Sequence, residues 1–326
     1  LFHQELDSTQ KYYNLASSIY SQQKRDLQSV YLNIDFAYEY YISFENLDSA
    51  KKYLNRAEQL IEEKLQHRNF HIKSLYQPQI LIHYNLQEYE KAIKSSLRLL
   101  QYSKRDKHIS NNDLATQYNN LASIFGQLGD HANAIDYYLA ALSLTELETV
   151  DPSEITYLLY NIGSTYYEQG EIKKAKTYFL KSLNLISEIT DLHEELQQDF
   201  INNCHYLTDC YRDEKQLDSS LYYINKSAPL SERTSYRINE TYKLYATYFL
   251  DQKQFKKANQ YASKALNIEL EYYGPKSLEV LQSYLLLGGI NNHQYKNFEA
   301  LQFTQKGLAT LSDASFVEND FSNPNL

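Results

Sequence analysis

One stretch of this chain is written twice. Tyr118-Asn119-Asn120-Leu121-Ala122-Ser123-Ile124-Phe125 runs on through Gly129-Asp130-His131 to Ala134, Tyr138 and Ala141. Leu159, Ile162, Gly163, Tyr166, Gly170, Ile172, Ala175, Phe179 and Ser182 repeat the same order of aliphatic, small and aromatic residues, with Ala175 standing 41 residues after Ala134. A pattern that recurs at a fixed period marks a supersecondary unit that cannot bury its apolar face alone and must stack on its neighbours. Only eight Gly and five Pro occur in 326 residues, too few for a turn-rich all-β fold.

These residues resemble the tetratricopeptide repeat (TPR), in which small residues let two antiparallel helices approach while aromatics fill the space between them. Laid along the chain, the resemblance places a large residue at Leu47, Tyr89, His131, Ile172, Leu217, Phe255 and Phe298. It places a small one three positions later at Ala50, Ala92, Ala134, Ala175, Ser220 and Ala258. The spacing, near 42 residues, is similar to that of the long kinesin-light-chain type. The implied fold is all-α, a right-handed solenoid of six to seven helix-turn-helix repeats. A partial capping repeat is expected at 1–30, the array at 31–313, and a tail or linker at 314–326. Phe316 to Leu326 resembles the linker that joins such arrays to caspase-like CHAT peptidase domains in bacterial proteins. With Leu1-Phe2-His3-Gln4 at its start, the chain reads as a fragment.

Two places strain the frame. Between Phe298 and Ala300 the last unit is one residue short, and the chain contains no methionine, so a methionine is expected to be missing after Glu299. Pro78 falls inside an expected helix, which should either start there or shift its register.

Several chemistries are disfavoured. A net charge of −9 suits no phosphate-neutralising face, so nucleic acid is not an expected partner. No run of residues is long and apolar enough to span a bilayer. Cys204 and Cys210, six residues apart on one helix, point in different directions too far apart for a disulfide, and read as small buried residues. His67 and His71 have metal-ligand spacing but no third ligand, and Cys204 and His205 diverge by about 100° as helix neighbours, which does not suit a catalytic dyad. Gly288-Gly289 reads as a close helix contact. No cofactor and no catalytic residue are expected. Among the 33 tyrosines, Tyr41, Tyr76, Tyr118, Tyr166, Tyr211 and Tyr242 fall at interlocking positions, which favours packing over base stacking.

Binding of a protein or an extended peptide remains. In arrays of the resembling kind the first helix of each hairpin lines a concave groove. The residues so placed are Asn119, Asn120 and Ser123, then Tyr157, Tyr160, Asn161, Ser164 and Tyr167, then Asn202 and His205. An asparagine amide offers donors and an acceptor and so pairs with a peptide bond whatever side chain stands beside it. Asn120 and Asn161 either grip a peptide backbone in this way or bond across helices to set curvature. No basic pair stands at Asn119, Ser123, Tyr157 and Asn161, which disfavours an acidic C-terminal tail as ligand. The alternative to a scaffold is a peptide-sensing module that controls an attached output domain, for example a CHAT peptidase.

Overall fold

The computed structural model describes residues 2–42, 46–65, 72–145, 151–189 and 192–310. His67, His71, the Phe316–Leu326 segment and the side chain of Tyr41 lie outside the described residues. All the regular structure described is helical. In the first of two compact units, residues 1–151, the helices are α1 (Phe2–Gln22), α2 (Asp26–Ile42), α3 (Leu47–Leu60), α4 (Ile72–Asn85), α5 (Tyr89–Ser103), α6 (Asn111–Gln127) and α7 (His131–Thr145). A wider π-type turn, Ile61–Leu65, continues α3. The second unit, residues 152–326, holds α8 (Pro152–Glu168), α9 (Ile172–Ser187), α10 (Glu194–Asp213), α11 (Leu217–Thr234), α12 (Ile238–Asp251), α13 (Phe255–Tyr273), α14 (Leu278–His293) and α15 (Asn297–Thr310).

The helices pair as hairpins, α2 with α3, α4 with α5 and α6 with α7 in the first unit. In the second unit α8 pairs with α9, α10 with α11, α12 with α13 and α14 with α15. First helices of successive hairpins also touch, α2 with α4, α8 with α10 and α10 with α12. The large residues of the sequence frame open the second helices: Leu47, Tyr89, His131, Ile172, Leu217 and Phe255 are each the first residue of one. The turn before Tyr89, His131, Ile172, Leu217 and Phe255 is a Schellman motif, which satisfies helix-end carbonyls with the next two N–H groups. Asp130 N–H donates to Phe125 O at 2.9 Å and Gly129 N–H to Gly126 O at 2.9 Å. Gln216 to Tyr211, and Gln254 to Phe249, repeat the first of these bonds at 2.8 Å.

The last hairpin corrects the sequence frame. Its second helix starts at Asn297, not Phe298, and Ala300 N–H donates to Lys296 O at 2.9 Å. Ala50, Ala92, Ala134, Ala175, Ser220 and Ala258 make the same bond to the residue before their helix. The register therefore closes without an added residue after Glu299, and Phe298 points outward, 57% exposed. Pro78 is a second correction: α4 neither begins there nor shifts, but runs through it. Leu75, Tyr76 and Ile82 are buried on either side of the proline, and this packing holds the helix despite the lost N–H donor.

Packing follows from the small residues. Ala50, Ala92, Ala134, Ala175, Ser220 and Ala258 are at most 1% exposed. At Gly163 a Cβ would stand 2.7 Å from the Phe179 ring, so only glycine lets α8 and α9 meet there. Gly288 is likewise tight, a Cβ there meeting Thr304 Oγ1 at 2.8 Å, while Gly289 faces open space. Stacked rings tie the two helices of four successive hairpins: Phe125–Tyr137, Tyr166–Tyr178, Tyr211–Tyr223 and Phe249–Tyr261, with centroids 5.4, 5.6, 5.5 and 5.5 Å apart. Tyr76, Tyr118 and Tyr242 also meet rings, those of Tyr102, Tyr137 and Tyr261. Cys204 and Cys210 are fully buried free thiols, and burial pushes both pKa values up to about 12.

Candidate functional site

In the first unit the sequence-predicted residues sit on α6. Ser110 caps this helix, its Oγ accepting from Asp113 N–H at 3.0 Å, so the helix begins one residue after it and its faces are fixed in register. Asn120 is exposed, and Asn119 and Ser123 are half-buried. Asn120 and Ser123 stand on the wall of a groove of about 460 Å³ formed by α4, α5 and α6; Asn119 does not line it. Ile80, Leu81, Leu99 and Ile124 make the groove largely aliphatic, and Tyr84 and Thr116 complete its sides.

Two polar residues of this groove escaped the sequence reading. Gln117 is 9% exposed and Ser96 6%, yet Gln117 Oε1, Gln117 Nε2 and Ser96 Oγ have no hydrogen-bond partner within the protein. A signal was available in the sequence. Gln117, Leu121 and Ile124 share one helical face, so a polar amide interrupts an otherwise apolar stripe.

In the second unit most of the predicted residues serve packing. Tyr157 of α8 is 49% exposed and Ser164 half-buried, with Ser164 Oγ donating to Asn161 O at 3.0 Å. Tyr160 lies between the rings of Phe179 and Tyr206 at 6.2 and 5.6 Å, and burial raises its pKa above the ordinary phenol value. Tyr167 packs edge-on against Tyr206 and donates its hydroxyl to Asp213 Oδ2 at 2.9 Å. Asn161 is buried, and its carbonyl also accepts from Thr165 Oγ1 at 2.8 Å.

Asn202 and His205 face α12 rather than solvent. Arg237 donates to Asn202 Oδ1 at 2.9 Å, and Asn202 Nδ2 donates to Tyr236 Oη at 3.2 Å. His205 Nε2 meets Thr241 Oγ1 at 2.9 Å, and Thr241 Oγ1 in turn donates to Ser231 Oγ at 2.9 Å. Burial, with the nearby Arg237 charge, lowers the His205 pKa to about 3, so the ring is neutral at physiological pH. Two carboxyls, the buried Asp199 and the half-buried Asp209, stand on the same helix: desolvation pushes both up to about 6, opposed by a bond from Thr156 and by Arg212 respectively. Among the described residues no cluster of three or more His, Cys, Asp or Glu could hold a metal ion. No described helix is long and apolar enough to cross a membrane.

Hairpins of antiparallel helices with small residues at their crossings define an all-helical repeat protein. Residues 117–146 and 156–188 match the family model of the tetratricopeptide repeat, so two of the hairpins of this all-helical repeat chain are tetratricopeptide repeats. It is 40% identical over 57 residues to the photosystem I assembly protein Ycf3 of Rippkaea orientalis, a match covering 18% of this chain and 31% of that protein. The chain thus spans less than a third of the length of that curated relative. Among solved structures, aspartyl phosphate phosphatase F of Bacillus subtilis superposes with a TM-score of 0.63 at 16% identity, covering 93% of this chain and 75% of that one. The putative kinesin light chain TPR-like repeats of Podosopora anserina superpose with a TM-score of 0.52 at 12% identity, covering 62% and 97%. At these identities the likeness is one of fold.

Proposed function

We propose that this chain is a scaffold that binds a protein or an extended peptide through the first helices of its hairpins. The observation that carries the reading is the aliphatic groove on α4, α5 and α6, walled by Asn120 and Ser123. Apolar concavities with a few polar groups on the wall are where ligands lodge. Tyr157, half out of solvent in the second unit, offers a flat apolar contact at low entropic cost. The net charge of −9 supports a neutral or mildly basic ligand and argues against nucleic acid.

Panning a random-peptide display library on the full chain tests the reading. Enriched peptides that lose affinity with Asn120→Ala or with Tyr157→Ala support it. A library that enriches nothing, or peptides indifferent to both substitutions, would overturn it. Small-angle scattering with the selected peptide separates a rigid scaffold, which keeps its dimensions, from a sensor controlling an attached domain, which changes them.

A further inference from the structure

The α4–α5–α6 groove has an unusual floor. Gln117 is more than nine-tenths buried, and neither its amide oxygen nor its amide nitrogen has a partner within the protein. Ser96 Oγ, on the α5 side, is in the same condition. Burying a primary amide without partners is unfavourable, and a side chain shaped like glutamine but apolar would avoid the cost. An unmet donor and acceptor in one group match one complementary group, another amide, which carries an acceptor and a donor side by side. Carboxylates offer only acceptors and ammonium groups only donors, so neither satisfies both.

The wall restricts the ligand further. Ile80, Leu81, Leu99 and Ile124 enclose a volume suited to an aliphatic side chain. Asp113 is the charged residue among the described lining residues, and its carboxylate gives an anionic group nothing to gain there. Asp113 is itself held by Ser110, whose Oγ donates to Asp113 Oδ2 at 2.9 Å.

Resting on the peptide-binding reading above, we propose that this groove is a subsite for a neutral peptide segment. An aliphatic side chain of the segment fills the space between α4 and α6, and an adjacent peptide amide pairs with Gln117. Gln117 lines the groove while its polar atoms are buried, so the pairing requires a rotation about the terminal side-chain torsion, which is soft.

The test uses the full chain labelled with nitrogen-15 and N-acetyl-leucinamide as probe, with N-acetyl-glycinamide and N-acetyl-leucine as controls. The expected result is a saturable shift of the Gln117 side-chain amide resonances with N-acetyl-leucinamide. The glycine analogue, lacking the aliphatic group, and the carboxylate should each bind at least several-fold more weakly. Gln117→Met keeps the shape and removes the amide. It should weaken the probe about tenfold, the effect of losing a pair of hydrogen bonds, while the melting temperature stays level or rises. Leu81→Trp, on the exposed wall, should block the probe by filling the groove. If Gln117→Met binds N-acetyl-leucinamide and the display-selected peptide as tightly as the native chain, the subsite is overturned, yet the scaffold reading still stands on Asn120 and Tyr157. If the selected peptide is also indifferent to Asn120→Ala and Tyr157→Ala, both fall.

Discussion

Lys243 Nζ meets Glu269 Oε1 at 2.9 Å across α12 and α13, with Glu269 completely buried. Asn239 adds a bond to the same oxygen at 3.0 Å, and Glu240 holds the other side of the ammonium at 2.8 Å. Taking a carboxylate out of water is costly, and a partner offsets that cost only while it remains. Lys243→Met should therefore destabilise the chain by about 3–5 kcal/mol, because Glu269 is left buried without its cation. The double variant Lys243→Met/Glu269→Leu should recover most of that loss. Urea unfolding of the native, single and double variants checks this, and a double variant no better than the single would sink it.

Gly163 gives a prediction with a built-in control. Gly163→Ala drives a methyl into the Phe179 ring, whose nearest atom is 2.7 Å away, and the ring is fully buried with little room to give. A loss of about 1–3 kcal/mol is expected, the usual cost of overpacking. Gly126 and Gly289 are also helical, but a Cβ at either meets nothing within 4 Å. There alanine should stabilise by about 0.5–1 kcal/mol through helix propensity. Opposite signs for chemically identical substitutions, read from thermal unfolding, are the expected outcome.

Among the described residues, the turns between paired helices use left-handed backbone at their next-to-last residue. Gly129 and Gly170 hold φ of 82° and 78° freely, whereas Gln87, Lys215, Lys253 and Tyr295 hold 58°, 60°, 57° and 61° with a Cβ in place. The left-handed conformation costs a residue with a side chain about 1 kcal/mol. Lys215→Gly and Lys253→Gly should each raise the melting temperature, and Gly129→Ala and Gly170→Ala should lower it. Differential scanning calorimetry of the four variants reads these shifts, and glycine substitutions that lower stability would contradict the turn assignment.

The same turns show how far the sequence can be read. Small residues at helix crossings and large residues opening the second helices were legible because sterics there admits few alternatives, as at Ala175 and Gly163. Asn297 was missed because an aromatic, Phe298, stood next to it, although it is the turn geometry at Tyr295 that sets where the helix begins. Pro78 was misread because its local penalty is outweighed by burial of Leu75 and Ile82 on either side. For the site, helical spacing gave the face of Asn120 and Tyr157 but not the depth of its neighbours. Asn202 shares its repeat position with the exposed Tyr157, yet Arg237, just before α12, covers it, and Thr241 on α12 covers His205, a tertiary fact with no local signature.

That cover makes α10 sensitive to pH in two opposing ways. His205 has its folded pKa lowered to about 3, below the ordinary value of 6.5, so it stabilises the fold above pH 6.5 and loses that contribution as pH falls toward 3. Asp199 is raised from 3.8 to about 6, so its contribution is fully present below pH 3.8 and is lost as pH rises through 6. Within that shared window Asp199, together with Asp209, which is also raised to about 6, offsets His205, and the native chain should show a shallow acid slope. Asp199→Asn mimics the protonated acid and keeps an acceptor for Thr156 Oγ1, now 2.7 Å from Asp199 Oδ2. It should be more stable than the native chain at pH 7.5, by on the order of 2 kcal/mol. The advantage should vanish near pH 4, leaving a steeper acid loss that is due to His205. Replacing His205 with Gln in the Asp199→Asn background should flatten that slope again. Stability measured by urea unfolding from pH 4 to 7.5 decides the matter: an Asp199→Asn advantage that does not shrink on acidification would show that Asp199 is already ionised without penalty in the fold.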